Sequence, residues 1–123
     1  MPNELKTIKV NETSHKSVFV FMNYSDGSQE TAAVKVDIST LPGAPTKVRI
    51  SKVRWNCFGQ AVKVYFDHTT DDLVLVLAGD GSMELPIEDP ASAGGTGDIL
   101  FTTVHAHADD AYMIEMEVEV VAP

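Results

Sequence analysis

The clearest pattern in the chain is the placement of apolar residues at every second position. Near the C-terminus, Ile114, Met116 and Val118 alternate with glutamates, which is the period of a strand with one face in a core. The runs 17–24 and 73–77 are mostly apolar at consecutive positions, as expected of strands buried on both faces. About eight such runs occur, and no segment shows a convincing helical period.

Turn-forming residues separate these runs. Gly, Pro and Asp recur between them at intervals of about 8 to 15 residues, a spacing typical of antiparallel sandwiches and barrels. We therefore predict an all-β fold, an antiparallel β-sandwich of jelly-roll-like form with about eight strands. Residues 17–123 are expected to form this single domain. For residues 1–16 we predict an N-terminal arm that is either frayed or ordered on a partner. Within it, LKTIKV could form a short edge strand.

One tight turn is predicted after the first long run. The dipeptide Asp26-Gly27 suits a turn with positive φ, which joins neighbouring strands in a hairpin. The return strand would place Val34, Val36 and Ile38 on one face. We therefore expect these two strands to pair with each other.

A second irregularity is predicted inside the run that follows. Val48 and Ile50 share one parity, whereas Val53 has the other. An extra residue near Ser51-Lys52 would return the later apolar residues to the inward face. The sequence therefore predicts a β-bulge there.

Charge is divided unevenly along the chain. All nine Lys and Arg lie at or before Lys63, together with five acids, and thirteen acids follow without Lys or Arg. The two parts thus carry +4 and −13. This division indicates either pairing across the sheet or a bipolar surface that binds further copies or another subunit. The candidate interaction residues lie on one basic and one acidic run: Lys47, Arg49, Lys52, Arg54, Trp55, Glu115, Glu117 and Glu119. The sole tryptophan, Trp55, is either an interface anchor or a core residue.

Composition excludes several classes of function. No run approaches the roughly 18 apolar residues of a membrane helix, and the N-terminus has no apolar segment typical of a secretory signal. We therefore expect a soluble protein made in a cytoplasm, without a membrane partner. The acidic second half and the absence of an aromatic platform among the basic residues also argue against nucleic-acid binding.

The segment TTVHAHADDAY raises the question of a metal site. His105, His107 and Asp109 would lie on the same face of an extended strand. The spacing is similar to the HxH of cupins and the HxD of iron oxygenases, but both need a further histidine downstream, and none follows here. We therefore interpret residues 108–111 as a hairpin turn, with a metal site as the alternative.

Two other candidate sites are also explained by structural roles. The turn from Asp67 to Asp72 is rich in oxygen ligands but lacks the glycine and final glutamate of an EF-hand. Its aspartates are expected to accept hydrogen bonds from the turn backbone, with a weak calcium site as the alternative. Cys57, the one cysteine, is expected to be a small buried residue. We predict no catalytic residue, cofactor or metal.

The chain resembles small virion structural proteins of tailed bacteriophages over roughly residues 48–120. The motifs that carry the resemblance are Arg54-Trp55 before a Gly-x-Ala-Val strand at 59–62, Phe66-Asp67 before Thr70-Asp71-Asp72, and Thr96-Gly97-Asp98 before Phe101-Thr102-Thr103. This resemblance implies a non-enzymatic capsid decoration or cement protein that is located in the virion. It also implies binding to the major capsid protein or other virion proteins, as a homo-oligomer, with a trimer favoured.

Two alternatives remain open. One is a neck, tail or fibre-associated virion β domain, which would be present in few copies per particle. The other is a carbohydrate-binding module or a small cupin-like metalloprotein, which would need a concave face lined by aromatic residues or histidines.

Overall fold

Two antiparallel sheets pack face to face in the computed structural model, which describes residues 4–13, 15–43, 45–84, 86–90, 92–104 and 106–122. The strands are β1 (Glu4–Glu12), β2 (Lys16–Asp26), β3 (Ala33–Val36), β4 (Lys47–Phe58), β5 (Ala61–Phe66), β6 (Asp72–Leu77), β7 (Asp80–Met83), β8 (Ile87–Glu88), β9 (Ile99–Val104) and β10 (Ala108–Ala122). A single 3-10 turn at Ile38–Thr40 is the helical element of these ranges. No helix that could cross a membrane is found in them.

The strand order confirms the predicted all-β sandwich. The larger sheet has the order β1-β2-β10-β4-β7, with β8 also beside β4, and the smaller sheet has the order β3-β9-β5-β6. Without β1 and the two-residue β8, the chain forms two four-stranded sheets and crosses between them after every strand except β5, as in a jelly roll. The predicted count of about eight strands agrees with this frame, and β1 and β8 lie outside it.

The core lies between the two sheets and follows the alternation of the sequence. Ile114, Met116 and Val118 on β10 are almost fully buried, as are Val62 and Val64 on β5. The glutamates between the first three point to the outer face of the larger sheet. Because the two faces differ in this way, the alternation in the C-terminal run predicts a half-buried strand.

Aromatic rings join the sheets at one end of this core. Phe101 on β9 meets Phe21 on β2 edge to face, with 5.1 Å between ring centroids. Its ring also lies edge to face with Tyr112 of β10, at 6.0 Å. Because β9 belongs to the smaller sheet and its two ring partners to the larger one, Phe101 is a direct contact between the layers.

A buried polar network surrounds Glu30, in the connection between β2 and β3. Its Oε1 accepts hydrogen bonds from Asn23 Nδ2 at 3.0 Å and from the Tyr112 hydroxyl at 2.6 Å. Its Oε2 forms an ion pair with Lys35, and the two side chains are only 5% and 9% exposed. Burial, followed by the hydrogen bond and charge of Glu30, raises the pKa of Tyr112 far above its usual range. The network therefore keeps a charged pair in the interior with nearby hydrogen-bond partners.

The bulge in β4 is confirmed. Lys52 pairs with Glu117 of β10, but Ile50 pairs with the next residue, Val118, so that Ser51 is the extra residue. Ile50 and Val53 are consequently both buried, although their sequence parities differ.

The predicted hairpin after Asp26 is wrong. Strand β2 belongs to the larger sheet, whereas β3 pairs with β9 in the smaller sheet. Val36 is buried but Val34 is 56% exposed, because the register shifts between these two residues. The chain crosses between layers here instead of returning along the same sheet.

The edge strand expected within the N-terminal arm is confirmed. Strand β1 runs antiparallel to β2, with Leu5 opposite Asn23 and Ile8 opposite Val20. The described part of the arm is thus ordered on the larger sheet of its own chain.

Candidate functional site

The predicted basic and acidic residues meet on the outer face of the larger sheet. Glu115, Glu117 and Glu119 of β10 lie directly opposite Arg54, Lys52 and Arg49 of β4. Ion pairs join Arg54 to Glu115 at 3.2 Å and Arg49 to Glu119 at 3.6 Å. The alternative of pairing across the sheet is therefore confirmed for these residues. We call this surface the charged ribbon.

The other basic residues of β4 pair with a different strand or loop. Lys52 reaches Glu84 at 3.6 Å and Lys47 reaches Glu88 at 3.3 Å. Most of these side chains are substantially exposed, and such pairs contribute about 0–1 kcal/mol each. The ribbon therefore adds little to stability and remains available to solvent.

Glu117 is the most enclosed carboxylate of the ribbon. Its Oε1 accepts a hydrogen bond from the bulge residue Ser51 at 2.7 Å and pairs with Lys16 at 3.5 Å. Burial has the largest single effect and raises the pKa of Glu117, but the bond from Ser51 and the charges of Lys16 and Lys52 together lower it below its ordinary value. The ionised form is therefore favoured in the folded protein.

We expect Glu117→Gln to lower the free energy of unfolding near neutral pH by at most about 1 kcal/mol. Because the folded pKa is depressed, this difference should be complete above the unfolded pKa of about 4.3 and should disappear as pH falls through the folded value. Urea unfolding at a series of pH values measures it. Ser51→Ala is the control, since it keeps the carboxylate but removes a hydrogen bond that lowers its pKa, and it should give a smaller loss that also disappears in acid. A difference that stays constant with pH would contradict the charge as its source.

Trp55 is held by its own domain. Its indole Nε1 donates to the Ala78 carbonyl at 3.0 Å, and its ring covers Gly81 so closely that a Cβ there would lie 2.7 Å from Cζ2. The side chain is partly buried and packs against the core. The structure therefore places Trp55 at the margin of the core and not as a free anchor.

An apolar patch lies beside the charged ribbon, at one end of the same outer face. Tyr24, Phe58 and Met113 are 51%, 73% and 53% exposed. Met22 pairs with Met113, and Phe58 lies opposite Ala111. These side chains line an open cavity of about 630 Å³, together with Lys6 and Asn56. We define the apolar patch as Met22, Tyr24, Phe58 and Met113.

The sequence does not predict this patch. The run 17–24 is apolar on both faces, a pattern that predicts burial of both. In the structure the second face remains half open, because the opposite sheet covers only the inward face.

A second feature, which the oxygen-rich turn from Asp67 to Asp72 predicts only in part, is a buried histidine with two aspartates. His68 lies in the loop after β5, Asp72 opens β6, and Asp89 follows β8. His68 Nδ1 lies 2.8 Å from the Gly94 carbonyl oxygen, and Nε2 lies 2.6 Å from Asp89 Oδ1. Nε2 is also 3.8 Å from Asp72 Oδ2. Three possible metal ligands are thus grouped at the end of the sandwich.

The predicted role of the aspartate turn is confirmed for Asp71, whereas Asp67 bonds to Thr96 of a different loop. Asp71 Oδ1 accepts from the His68 backbone N–H at 3.2 Å. Asp67 Oδ2 accepts from the backbone N–H and hydroxyl of Thr96 at 3.3 and 2.8 Å. The turn after β5 and the loop 92–97 are therefore fastened to each other.

The protonation of His68 is governed by this environment. Burial of the ring has the largest single effect and lowers the pKa of His68, but the hydrogen bonds to Gly94 and Asp89 and the charges of Asp89 and Asp72 together raise it above its ordinary value. The carboxylates thus favour a positive charge at the ring.

The histidine segment leads from β9 into β10, and the hairpin turn predicted at 108–111 is wrong, because these residues open β10. His105 lies outside the described residues, and the side chain of His107 is 77% exposed. Asp109 accepts from the Tyr24 hydroxyl at 2.8 Å, while the backbone N–H of His107 donates to Asp110 Oδ2 at 2.9 Å. The flanking strands β9 and β10 belong to different sheets, so the segment is a crossing and not the tip of a hairpin.

Cys57 is buried, as predicted. Desolvation raises the pKa of its thiol to about 11. The thiol is therefore protonated at neutral pH and is a poor nucleophile.

No family model matches the chain, and no curated protein matches it. Among solved structures, it is similar to a cupin superfamily protein from Desulfitobacterium hafniense. The two are 11% identical, the match covers 98% of this chain and 81% of the other, and the TM-score is 0.42. The assignment of the fold therefore rests on the strand order.

Proposed function

We propose that this chain is a non-enzymatic structural protein of a tailed phage, a decoration or cement protein that docks on the outer surface of the major capsid protein. The apolar patch is the observation that carries the proposal. Met, Tyr and Phe are the residue types that protein interfaces concentrate at their buried centres. The patch exposes three such side chains together, and the resemblance of residues 48–120 to virion structural proteins supplies the class of partner.

The surroundings of the patch suit a protein partner. The charged ribbon continues from it along β4 and β10, with both signs of charge beside each other. An apolar centre with a polar, solvent-accessible rim is the usual anatomy of a protein interface. In this arrangement the apolar side chains supply affinity, and the paired charges orient the partner.

A trimer is part of this proposal. Binding around a local symmetry axis of a capsid would let three copies engage at once, and each additional contact would raise the effective concentration of the others. The mass of the protein in solution, measured by light scattering, tests whether the trimer forms before it binds.

We expect Phe58→Ser to weaken binding to purified particles by at least about 10-fold, because an aromatic residue at the centre of an interface contributes roughly 2 kcal/mol or more. Stability should change little, since Phe58 is 73% exposed. Co-sedimentation of the added protein with particles that lack it measures the affinity. Leu73→Ser is the matched control, because Leu73 is a 50% exposed apolar residue on the smaller sheet. Equal losses in the two variants would contradict the assignment of the patch.

The number of copies per particle separates the proposed role from its alternatives. Quantitative mass spectrometry of purified particles should give a fixed ratio to the major capsid protein, in the hundreds of copies. A dozen copies or fewer would instead indicate a neck or tail protein, and absence from the particles would contradict a virion role.

A further inference from the structure

We propose that His68, Asp72 and Asp89 bind one divalent transition-metal ion, of which Zn²⁺ is the representative, at the end of the sandwich. The three ligand atoms lie within 4.8 Å of one another. This inference is independent of the proposed function, since the cluster is built from the loops after β5 and β8 and the apolar patch from β2, β4 and β10.

The burial of the cluster is the first step of the argument. The side chains of His68 and Asp89 are 6% and 3% exposed. Ionisable side chains are seldom buried to this extent unless they are paired or bind a metal. A specific positive charge is therefore required between the ring and the carboxylates.

The orientation of the imidazole is the second step. The Gly94 carbonyl can only accept, so the N–H donor in the 2.8 Å bond must be His68 Nδ1. In the neutral ring, Nε2 then carries the lone pair, and it lies 2.6 Å from a carboxylate oxygen that is also an acceptor. Only a proton or a cation makes this contact favourable. Donation of the second ring N–H to a carbonyl is also the usual way in which proteins orient a metal-binding histidine.

The balance of charge distinguishes the ion from the proton. With both aspartates ionised, a protonated His68 leaves the three side chains with one net negative charge, whereas a neutral ring with a divalent cation leaves none. Moreover, Asp72 Oδ2 is buried and accepts no hydrogen bond from the described residues. A proton on Nε2 can be donated to Asp89, but Asp72 Oδ2 lies 3.8 Å from Nε2 and receives no hydrogen bond from it. A metal ion between the three ligands would satisfy both carboxylates.

The two distances from His68 Nε2 to the carboxylates fit a small ion after a modest adjustment. A tetrahedral ion with bonds of about 2.1 Å holds its ligand atoms roughly 3.4 Å apart. The distance from Nε2 to Asp89 would have to lengthen from 2.6 Å and that to Asp72 to shorten from 3.8 Å, each by less than about 1 Å. A nitrogen with two carboxylates favours a transition metal over Ca²⁺ or Mg²⁺, which prefer oxygen ligands alone.

The loops around the cluster supply both rigidity and access. A Cβ at Gly95 would lie 2.5 Å from Cα of His68, so the loop 92–97 rests directly on the histidine backbone. An open cavity of about 280 Å³ reaches His68 and Asp89 between Thr46, Ser92 and Thr96. Solvent can therefore enter, and a water molecule can complete the coordination of the ion.

The test is the binding of Zn²⁺ to the chelator-treated, full-length protein, measured by calorimetry with metal analysis after dialysis. We expect one equivalent per chain and a higher thermal midpoint with the ion. Asp72→Asn, which preserves shape and changes a partly exposed side chain, should weaken binding by at least about 10-fold, and His68→Gln should do the same. Substitution with Co²⁺ should give the visible absorption of a tetrahedral site in the unaltered protein and not in Asp72→Asn or His68→Gln.

His107→Gln is the matched control for chance binding by an exposed histidine. It should leave the stoichiometry and affinity unchanged. The proposal would be overturned if the unaltered protein bound no stoichiometric Zn²⁺, if folded Asp72→Asn bound it as tightly, or if His107→Gln abolished binding. Particle binding is measured separately, so failure here does not affect the result for the apolar patch.

Discussion

Replacing Glu30 with alanine is expected to lower the free energy of unfolding by about 3–5 kcal/mol, because removal of one partner of a buried ion pair leaves the other charge uncompensated. Lys35 would keep an ammonium group with a side chain only 9% exposed. Asn23 and the Tyr112 hydroxyl would also lose the oxygen to which they donate. Urea unfolding followed by tryptophan fluorescence, through Trp55, measures the change.

Glu88→Ala is the control for this variant. Glu88 also pairs with a lysine, but its side chain is 48% exposed, so its removal should change stability by at most about 1 kcal/mol. The double variant Glu30→Met with Lys35→Met should be more stable than Glu30→Ala, since no charge remains buried. Similar effects of Glu30→Ala and Glu88→Ala would show that the buried pair is not the source of the loss.

Phe101→Ala should be comparably destabilising, by about 3–5 kcal/mol, since a fully buried aromatic ring is lost and a cavity remains. The ring contacts Phe21 and Tyr112 across the two layers, so neither sheet can close the gap alone. Phe58→Ala, at a 73% exposed position, provides the comparison and should change little. Thermal and urea unfolding of both variants decide the matter, and a loss below about 1 kcal/mol for Phe101→Ala would contradict the packing described.

Most of the strands and their inward faces could be predicted from the local periodicity of apolar residues. The alternation around Ile114 and Met116 identified both the strand and its inward face, because the side-chain period of a strand does not depend on its partners. The change of parity between Ile50 and Val53 was enough to predict the bulge. These features depend on neighbouring residues alone, and such features can be read from a single sequence.

The pairing of strands could not be read in the same way. Asp26-Gly27 indicates a reversal of the chain. A turn alone does not determine whether the next strand joins the same sheet or crosses to the other sheet. The crossing is fixed by distant contacts. The Thr103 backbone N–H donates to the Glu30 carbonyl, and the Glu30 backbone N–H donates to the Thr103 hydroxyl. These two residues are 73 positions apart in the sequence.

The candidate sites show the same limit. The opposite charges of β4 and β10 suggested a pairing that the register now shows. His68 and Asp72 are four residues apart and were visible as part of an oxygen-rich turn, but Asp89 is brought to them only by the placement of the loop after β8. Of the two histidines that stand out by their spacing, His107 is exposed in the connection between β9 and β10.

The edge formed by β1 limits how the protein associates with itself. No described strand pairs with the far side of β1, and an open edge of this kind is a template for the growth of fibrils. Two features oppose such growth: Lys6 is exposed on the strand, and the register shift between Lys9 and Asn11 interrupts its regular backbone. A charged edge with a bulge is less suited to continuous strand addition than a flat, uncharged edge would be.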